Sequence, residues 1–345
     1  MDTDAIVAWL AACCLLVFAM VVVGGVTRLT HSGLSITEWQ PIVGTLPPLS
    51  DADWNEAFAK YRQTPEFRDV NHEMTLHEFK GIFWREYFHR LLGRVIGVAF
   101  LLPYLWFLVR GRIPRPLRWP LAGIFALGAL QGALGWFMVQ SGLVDDPRVS
   151  QFRLTAHLGL AFAIFGAMLW VALSLAFPAR IDPRAVPGDP HVALRVRSLR
   201  RFGIAVAALV FVMVLSGGLV AGIRAGFAYN TFPLMHGYVV PPEILMLAPW
   251  WKNFFWNMAT VQFDHRIIAW ILAFGVPLFA WRVWRSSAPR RARGSAAALV
   301  TMLALQVGLG IATLVNVVPL PLAALHQAGA VVVFGLALAT VHALR

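Results

Sequence analysis

Four histidines stand near the starts of four long apolar segments, and their positions pair them two by two. His89 and His157 lie in the first half of the chain, and His265 and His326 lie in the second. A lone histidine in a membrane helix often serves only as a hydrogen-bonding or interfacial residue, but a repeated pair favours a ligand role. Two imidazoles inside a helical bundle can ligate a six-coordinate haem iron. The pattern therefore predicts one bis-histidine haem site in each half.

The composition predicts the elements that must position these histidines. Of the 345 residues, 59% are hydrophobic and only 13% are charged, whereas a soluble domain is about one-quarter charged. Eight segments approach the roughly 20 apolar residues needed to cross a bilayer. They are 5–26, 91–109, 120–140, 154–177, 203–223, 262–281, 296–318 and 322–343. We predict an all-α integral membrane protein with eight transmembrane helices in two tandem four-helix bundles.

The net charge of +12 raises the question of nucleic-acid binding, which the distribution of charge excludes. The arginines concentrate in alternate loops, at 110–118, 180–201 and 282–293. The positive-inside rule places those loops and both termini in the cytoplasm. The first apolar segment lacks the features of a signal or transit peptide, which favours a retained helix in a bacterial inner membrane. The helices that carry the histidines then run inwards, so both haem sites are expected near the periplasmic side.

The two halves of the sequence resemble each other. YFHRLLGRVIG aligns with QFDHRIIAWIL, ALQGALGWFMVQSGL with ALQVGLGIATLVNVV, and VVVGGVTRLTHSG with LSGGLVAGIRAG. This internal duplication predicts two bundles of parallel topology. The predicted domains are an N-terminal bundle at 1–177, a cytoplasmic linker at 178–202 and a C-terminal bundle at 203–345.

The outer loops distinguish the halves. The first, 27–88, is long, and Ser50 to Asp53 form a helix N-cap signal before DWNEAFAKY. TLHEFKGIFWREYFHRLLG reads as a single helix that begins outside the membrane and continues into the second span. The matching loop of the second half, NTFPLMHGYVVPPEILMLAPWW, is shorter and rich in Pro and Trp. A long ordered loop is usually functional, so we expect the first half to have a distinct role.

One carboxylate has no counterpart in the other half. Glu86 lies three residues before His89, on nearly the same helix face, and the matching position before His265 is Gln262. We predict that Glu86 is catalytic and that only the first site performs proton chemistry. The alternative is a salt bridge from Glu86 to Arg85, Arg90 or Arg94.

Arginines at the outer helix ends could pair with haem propionates, because guanidinium binds carboxylates through two hydrogen bonds. The candidates for the first site are Arg28, Arg90 and Arg94, and those for the second are Arg224 and Arg266. Interfacial snorkelling is the alternative. Glycines that could admit a flat macrocycle, or simply allow close helix packing, are Gly24, Gly25, Gly132, Gly135, Gly217 and Gly218.

The cysteines and the remaining histidines give little indication of a further metal site. Cys13 and Cys14 are neighbours within the first apolar segment and read as small apolar residues. His72 and His77 have a spacing that could bind a metal, although an ordinary polar role is favoured. The remaining histidines are expected in loops, in polar helix or at a terminus. They are His31, His191, His236 and His342.

Four motifs of the sequence resemble those of a known family. GGVTRLTHSGLSITEW, EFKGIFWREYFHRLLGRVIG, AGIRAGFAYNTFPLMHG and FDHRIIAW together resemble the haem A synthase family, from about residue 20 to 343. The long first loop is similar to its proteobacterial and mitochondrial-type branch. Some bacterial members carry a cysteine pair in outer loops, and this chain has none there.

The resemblance implies an oxidoreductase that converts the ring methyl of haem O, through an alcohol and a hydrated aldehyde, to the formyl group of haem A. It implies that His89 and His157 hold haem O and that His265 and His326 ligate a haem b cofactor. It also implies that Glu86 acts beside the substrate, and that the partners are haem O synthase and assembly factors of haem-copper oxidases. The redox partner is unknown, and a homo-oligomeric state stays open.

Two other functions remain as alternatives. A di-haem b-type cytochrome for electron transfer would share the bis-histidine arrangement but gives no reason for the difference between Glu86 and Gln262. A haem-free transporter with parallel repeats predicts polar residues at the bilayer midplane, whereas the ionisable residues here cluster at the outer helix ends.

Overall fold

The computed structural model describes residues 3–38, 43–143, 149–178 and 190–345, without the side chains of residues 43, 141 and 190–195. In this part of the chain all regular secondary structure is helical. There is no strand, and a single isolated bridge joins Met235 and Tyr238. Residues 180–189, part of the second arginine-rich loop, lie outside the described ranges.

Eleven α-helices follow one another along the described residues. They are α1 (Thr3–Leu29), α2 (Asp51–Tyr61), α3 (Pro65–Asp69), α4 (Leu76–Val109), α5 (Arg115–Gly142), α6 (Gln151–Ala176), α7 (Pro190–Gly222), α8 (Asn253–Trp256), α9 (Met258–Arg285), α10 (Arg290–Val315) and α11 (Leu320–Ala343). Short 3₁₀ turns occur at Val43–Thr45, Ala225–Phe227 and Trp250–Lys252.

Eight of these helices are long and apolar enough to cross a bilayer, which confirms the predicted number: α1, α4, α5, α6, α7, α9, α10 and α11. The protein is therefore a multi-pass membrane protein. Their bounds depart little from prediction. The seventh span ends earlier than expected. Helix α10 stops at Val315, and the nearby residues Val317 and Val318 take positive φ angles of 60° and 57°. Helix α7 begins at Pro190, within the range predicted as a linker.

The chain divides into two compact units by packing. One unit comprises Leu15–Ala161, and the other comprises Met1–Cys14 with Phe162–Arg345. The second boundary falls inside α6, since the inner part of that helix packs on α11. Phe162 contacts Phe334 with ring centroids 5.7 Å apart.

The second unit contains a closed four-helix bundle. Its helices α7, α9, α10 and α11 pack in a ring, each against two neighbours. Because α9 and α11 run in the same direction, His265 and His326, which lie in their opening turns, occupy the same end of the bundle.

The first unit assembles its helices through small residues and aromatic pairs. Met20 of α1 packs on Gly93 of α4, where a β-carbon would lie 3.1 Å from the Met20 methyl carbon. Helix α4 meets α5 through the stacked rings of Phe100 and Phe125, 6.3 Å apart. Helices α4 and α6 carry the two histidines of this unit.

The first outer loop has a folded core of its own, as its capping signals predicted. Ser50 and Thr75 each cap a helix in a complete capping box, with Asp53 and Glu78 respectively. Helix α4 runs without interruption from Leu76 in this loop to Val109, which confirms the single long helix. An aromatic cluster buries the loop against the outer end of α4. Its buried members are Trp54, Tyr61, Phe79, Ile82, Phe83 and Tyr87.

Candidate haem sites

Each histidine of the first unit lies against a glycine of the preceding membrane helix. A β-carbon at Gly24 of α1 would stand 3.3 Å from Nε2 of His89, and one at Gly135 of α5 would stand 2.9 Å from Cε1 of His157. The absence of a side chain at these two positions lets the helix backbone pack directly against each imidazole.

The second unit repeats this arrangement. A β-carbon at Gly217 of α7 would lie 3.5 Å from Cε1 of His265, and one at Gly310 of α10 would lie 2.8 Å from Cε1 of His326. Gly24, Gly135 and Gly217 belong to the glycines predicted from sequence, whereas Gly310 was missed. Its signal was present, since ALQVGLG aligns with ALQGALG and places Gly310 opposite Gly135.

A glutamine holds the backbone at the second histidine of each pair. Nε2 of Gln131 donates to the carbonyl of His157 over 3.0 Å, and Nε2 of Gln306 donates to the carbonyl of His326 over 2.8 Å. These bonds fix the register of α5 on α6 and of α10 on α11 at the site itself. Sequence reasoning overlooked both glutamines, although they align in the repeat.

The ring nitrogens of the pairs differ in their partners. Among the described residues, Nδ1 of His157 and Nδ1 of His326 are buried without a hydrogen-bond partner. Nδ1 of His265 lies 3.1 Å from the hydroxyl of Ser216. The position that aligns with Ser216 in the first half is Val23, which has no hydroxyl group.

These observations fit a bis-histidine iron ligand set in each unit. A glycine of the preceding membrane helix lets the backbone pack directly against each ring, and a buried imidazole nitrogen without a partner is costly unless another group binds the ring. Each ligand set would be drawn from two helices that run in the same direction. Each histidine pair lies within a single packing unit.

Glu86 is buried, 2% exposed, and both of its carboxylate oxygens are engaged. Oε2 accepts from the hydroxyl of Ser35 over 2.7 Å and from the backbone N–H of Ile36 over 2.9 Å. Oε1 accepts from Nε and an Nη of Arg90 over 2.9 and 2.6 Å. The salt bridge left open by the sequence is therefore present, and its partner is Arg90.

Gln262 occupies the matching place in the second unit. Its Nε2 donates to the carbonyl of Ala225 over 2.7 Å, and its Oε1 accepts from Arg266 over 3.0 Å. The neighbouring segment thus offers hydrogen-bond donors to Glu86 and a carbonyl acceptor to Gln262.

Two of the predicted propionate-binding arginines are committed to the outer segments. Arg90 also donates to the carbonyls of Ile36 and Glu38 over 2.8 and 3.1 Å. Arg266 donates to the carbonyls of Tyr229, Thr231 and Pro233 over distances from 2.9 to 3.3 Å. Of the other three, Arg28 lies in the last turn of α1, Arg94 lies in the middle of α4, and Arg224 follows α7.

The first outer loop contains a buried carboxyl that the sequence did not single out. Glu66 of α3 is 5% exposed, and the hydroxyl of Tyr61 lies 3.5 Å from its Oε2. Burial raises the pKa of Glu66 to about 7, and the nearby charge of Glu86 adds to the increase while Tyr61 and Arg28 oppose it. Nothing in the sequence pattern distinguishes this residue from a solvated helix residue.

The remaining candidates behave as ordinary structural residues. Cys13 and Cys14 are buried and free within α1. His72 lies 3.8 Å from Glu73, and within the described ranges no group of three or more acidic, histidine or cysteine side chains could hold a metal ion. His342 is not a loose terminal residue, since it is buried in the last turn of α11 beside Ser174 and Arg291. The side chain of His191 lies outside the described part.

Comparison with known sequences identifies the family. The sequence model of the COX15-CtaA family, described as cytochrome oxidase assembly protein, matches residues 7–338. The chain belongs to this family. The match covers all eight membrane-spanning helices and all four histidines.

Several curated members of the family are similar over nearly their whole length. The chain is 61% identical over 337 residues to a heme A synthase of Nitrosospira multiformis, covering 98% of this chain and 92% of the relative. It is 57% identical over 330 residues to the heme A synthase of Nitrosomonas eutropha, covering 96% and 91%. It is 51% identical over 341 residues to that of Rhodospirillum centenum, covering 99% and 88%. These proteobacterial relatives agree with the branch that the long first loop predicted.

Proposed function

We propose that this protein is a haem A synthase, which oxidises a ring methyl group of haem O to a formyl group. The observation that carries the proposal is identity of 48–61% to relatives with that name over almost the full chain, combined with one cradled histidine pair in each unit. A pure electron-transfer cytochrome would explain the pairs alone, but it is not favoured by these relatives.

We assign the substrate haem O to His89 and His157, and a resident haem b to His265 and His326. Two features support this direction of assignment. The Ser216 hydroxyl beside His265 can orient that ring for permanent ligation, whereas Val23 in the first half provides no such bond. The long folded loop, with its buried carboxyl groups, also belongs to the first unit.

The iron of a bound haem supplies the redox chemistry, which amino-acid side chains cannot perform. The residues of the chain bind and orient the macrocycles. The four imidazoles would ligate the haem irons, the adjacent glycines let the helix backbone pack against the rings, and Gln131 and Gln306 hold the helix backbone at the sites. Arg28, Arg94 and Arg224 are the arginines proposed to meet propionates, with Arg90 and Arg266 beside them. Glu86 is proposed to be required for conversion at the first site.

The membrane arrangement completes the proposal. From the arginine-rich loops we propose that both termini are cytoplasmic and that the haem sites lie toward the periplasmic side of a bacterial inner membrane. The partners proposed for the chain are haem O synthase, which must supply the substrate, and the assembly factors of haem-copper oxidases, which would receive haem A. A periplasmic reporter fused after Arg345 should be inactive, and strong activity would overturn the topology.

The function is tested by extracting haem from membranes that contain this protein and a source of haem O. Chromatography should show haem A only when the intact protein is present. Unconverted haem O together with haem b, at normal expression, would refute the synthase and leave the electron-transfer cytochrome. The same experiment with Glu86→Ala should give no haem A.

A further inference from the structure

We infer that Glu86 and Gln262 are equivalent positioning residues. Each fastens the outer segment after the first helix of its half to the helix that carries the first histidine. The residue type is set by the hydrogen-bonding groups of that segment, and not by a need for a proton acceptor at one haem. This inference deepens the proposed function and rests on it for the identity of the substrate at the first site.

The first clamp joins three parts of the Leu15–Ala161 unit. Glu86 on α4 binds Ser35 and the N–H of Ile36, which follow α1 in the chain. Arg90, one turn along α4, binds Glu86 and the carbonyls of Ile36 and Glu38. The same outer segment reaches the end of α5, where a β-carbon on Gly142 would lie 2.9 Å from the side chain of Leu34.

The second clamp has the same plan with different atoms. Gln262 on α9 binds the carbonyl of Ala225, which follows α7, and Arg266 binds Gln262 and three further carbonyls of the segment. The segment likewise reaches the end of the third membrane helix of its half. There Nδ2 of Asn230 donates to the carbonyl of Leu314 over 2.8 Å.

The chemistry of each segment dictates the residue that binds it. In the first half the segment presents a hydroxyl and an N–H, and Arg90 adds two more donors, so four donors require an acceptor-only carboxylate. In the second half the segment presents a carbonyl and Arg266 presents donors. Only an amide, with one donating and one accepting end, satisfies both. A carboxylate at position 262 would face the Ala225 carbonyl, and an amide at position 86 would face a donor with its own N–H.

Four donors already occupy the two carboxylate oxygens of Glu86. Its effect on the haem site is instead transmitted through α1 and α4. The clamp, together with the bond from the Thr27 hydroxyl to the carbonyl of Arg85 over 3.5 Å, fixes the outer end of α1 against α4. That contact is where Gly24 approaches the ring of His89.

The decisive variant is Ser35→Ala, because it removes one bond to Glu86 without changing any titratable group. We expect Ser35→Ala and Glu86→Gln to alter the absorption spectrum of haem O bound at the first site in the same direction. We expect the apparent KM for haem O to rise about tenfold for Ser35→Ala, the loss of one hydrogen bond to a charged group. The rise should be larger for Glu86→Gln, and the pH profile of Ser35→Ala should keep the shape of the unmodified protein.

A proton-accepting Glu86 predicts the opposite pattern. Ser35→Ala would then resemble the unmodified protein, while Glu86→Gln would bind haem O with an unchanged spectrum and KM but lose conversion. That combination would overturn the inference. Ser50→Ala, which weakens the cap of α2 in the same loop without touching the clamp, controls for general loosening of the loop.

Position 262 provides a matched test that does not depend on conversion of haem O. Gln262→Glu should lower the haem b content per polypeptide more than Gln262→Ala does, because the added carboxylate repels the Ala225 carbonyl. Equal haem b content, or the reverse order, contradicts the inference. If the unmodified protein produced no haem A, the proposed function would fail, whereas the haem b measurement and the spectrum of added haem O would still decide the clamp.

Discussion

The two histidine sites share a backbone plan and differ in how firmly the first imidazole is held. In the second unit the Ser216 hydroxyl lies 3.1 Å from Nδ1 of His265. In the first unit the aligned residue is Val23. A bond to the far nitrogen of a ligating histidine orients the ring and strengthens it as a ligand. Under the proposed assignment, this difference would favour retention of the haem at the second site over that at the first.

The outer segments of the two halves also differ in the side chains that they bury and expose. The first is organised around an aromatic cluster and contains the buried carboxyls of Glu66 and Glu86. The second exposes a series of large apolar side chains, including Trp250 and Trp251 at 68% and 46% exposure. The first segment therefore buries two carboxyl groups, whereas the second exposes large apolar side chains.

The largest expected effect breaks the comparison at the iron ligands. His326→Ala should abolish the low-spin haem b spectrum, because one axial ligand of that site is lost. His157→Ala should keep the haem b spectrum and lose conversion of haem O. Difference spectra of purified protein, with haem A measured by chromatography, test both variants. A haem b spectrum that survives His326→Ala but disappears in His157→Ala would reverse the assignment of the sites.

A smaller effect is expected from adding a methyl group that contacts a histidine ring. Gly310→Ala should lower haem b occupancy and Gly135→Ala should lower haem O binding, since the new β-carbons would lie 2.8 and 2.9 Å from imidazole carbons. Gly308→Ala and Gly132→Ala are matched controls on the same helices, because a β-carbon at either position meets nothing within 4 Å. Equal haem content in all four variants would show that the glycines serve packing elsewhere.

The serine and valine pair sharpens the comparison further. Ser216→Val should weaken retention of haem b by about tenfold, the lower end of effects seen when a group that orients a metal ligand is removed. Val23→Ser should slow the loss of haem from the first site. Transfer of haem to an excess of an apo-globin acceptor measures both rates. Unchanged transfer from Ser216→Val would remove the proposed reason for the different behaviour of the halves.

The smallest effect concerns pH and the first outer loop. Because burial raises the pKa of Glu66 from 4.5 to about 7, the folded loop binds this proton more tightly than the unfolded chain does. The contribution of Glu66 to loop stability should therefore be fully present below pH 4.5 and should be lost as the pH rises through about 7. Glu66→Gln should abolish this part of the decline. Proteolysis of the loop at pH 5 and pH 8 measures it, and an identical pH response in the variant would contradict the assignment.

Much of the fold followed from local sequence. The eight apolar segments, the long α4 and the capping boxes at Ser50 and Thr75 were predictable, since span length and helix caps depend on residues close together in the chain. The histidine pairs were predictable for a related reason, because the internal repeat marks equivalent positions. Gly310, Gln131 and Gln306 could have been found from the same alignment.

Tertiary structure decided what the side chains do. The sequence showed Glu86 against Gln262 but not the donors of Ser35 and Ile36 or the carbonyl of Ala225, and these partners lie 37 to 51 residues away. It could not identify Glu66 as a buried carboxyl either, because burial and the approach of Tyr61 depend on how α2, α3 and α4 pack. Span, cap and repeat are properties of neighbouring residues, whereas hydrogen-bond complementarity and the pKa of a carboxyl are set by groups that only the folded chain brings together.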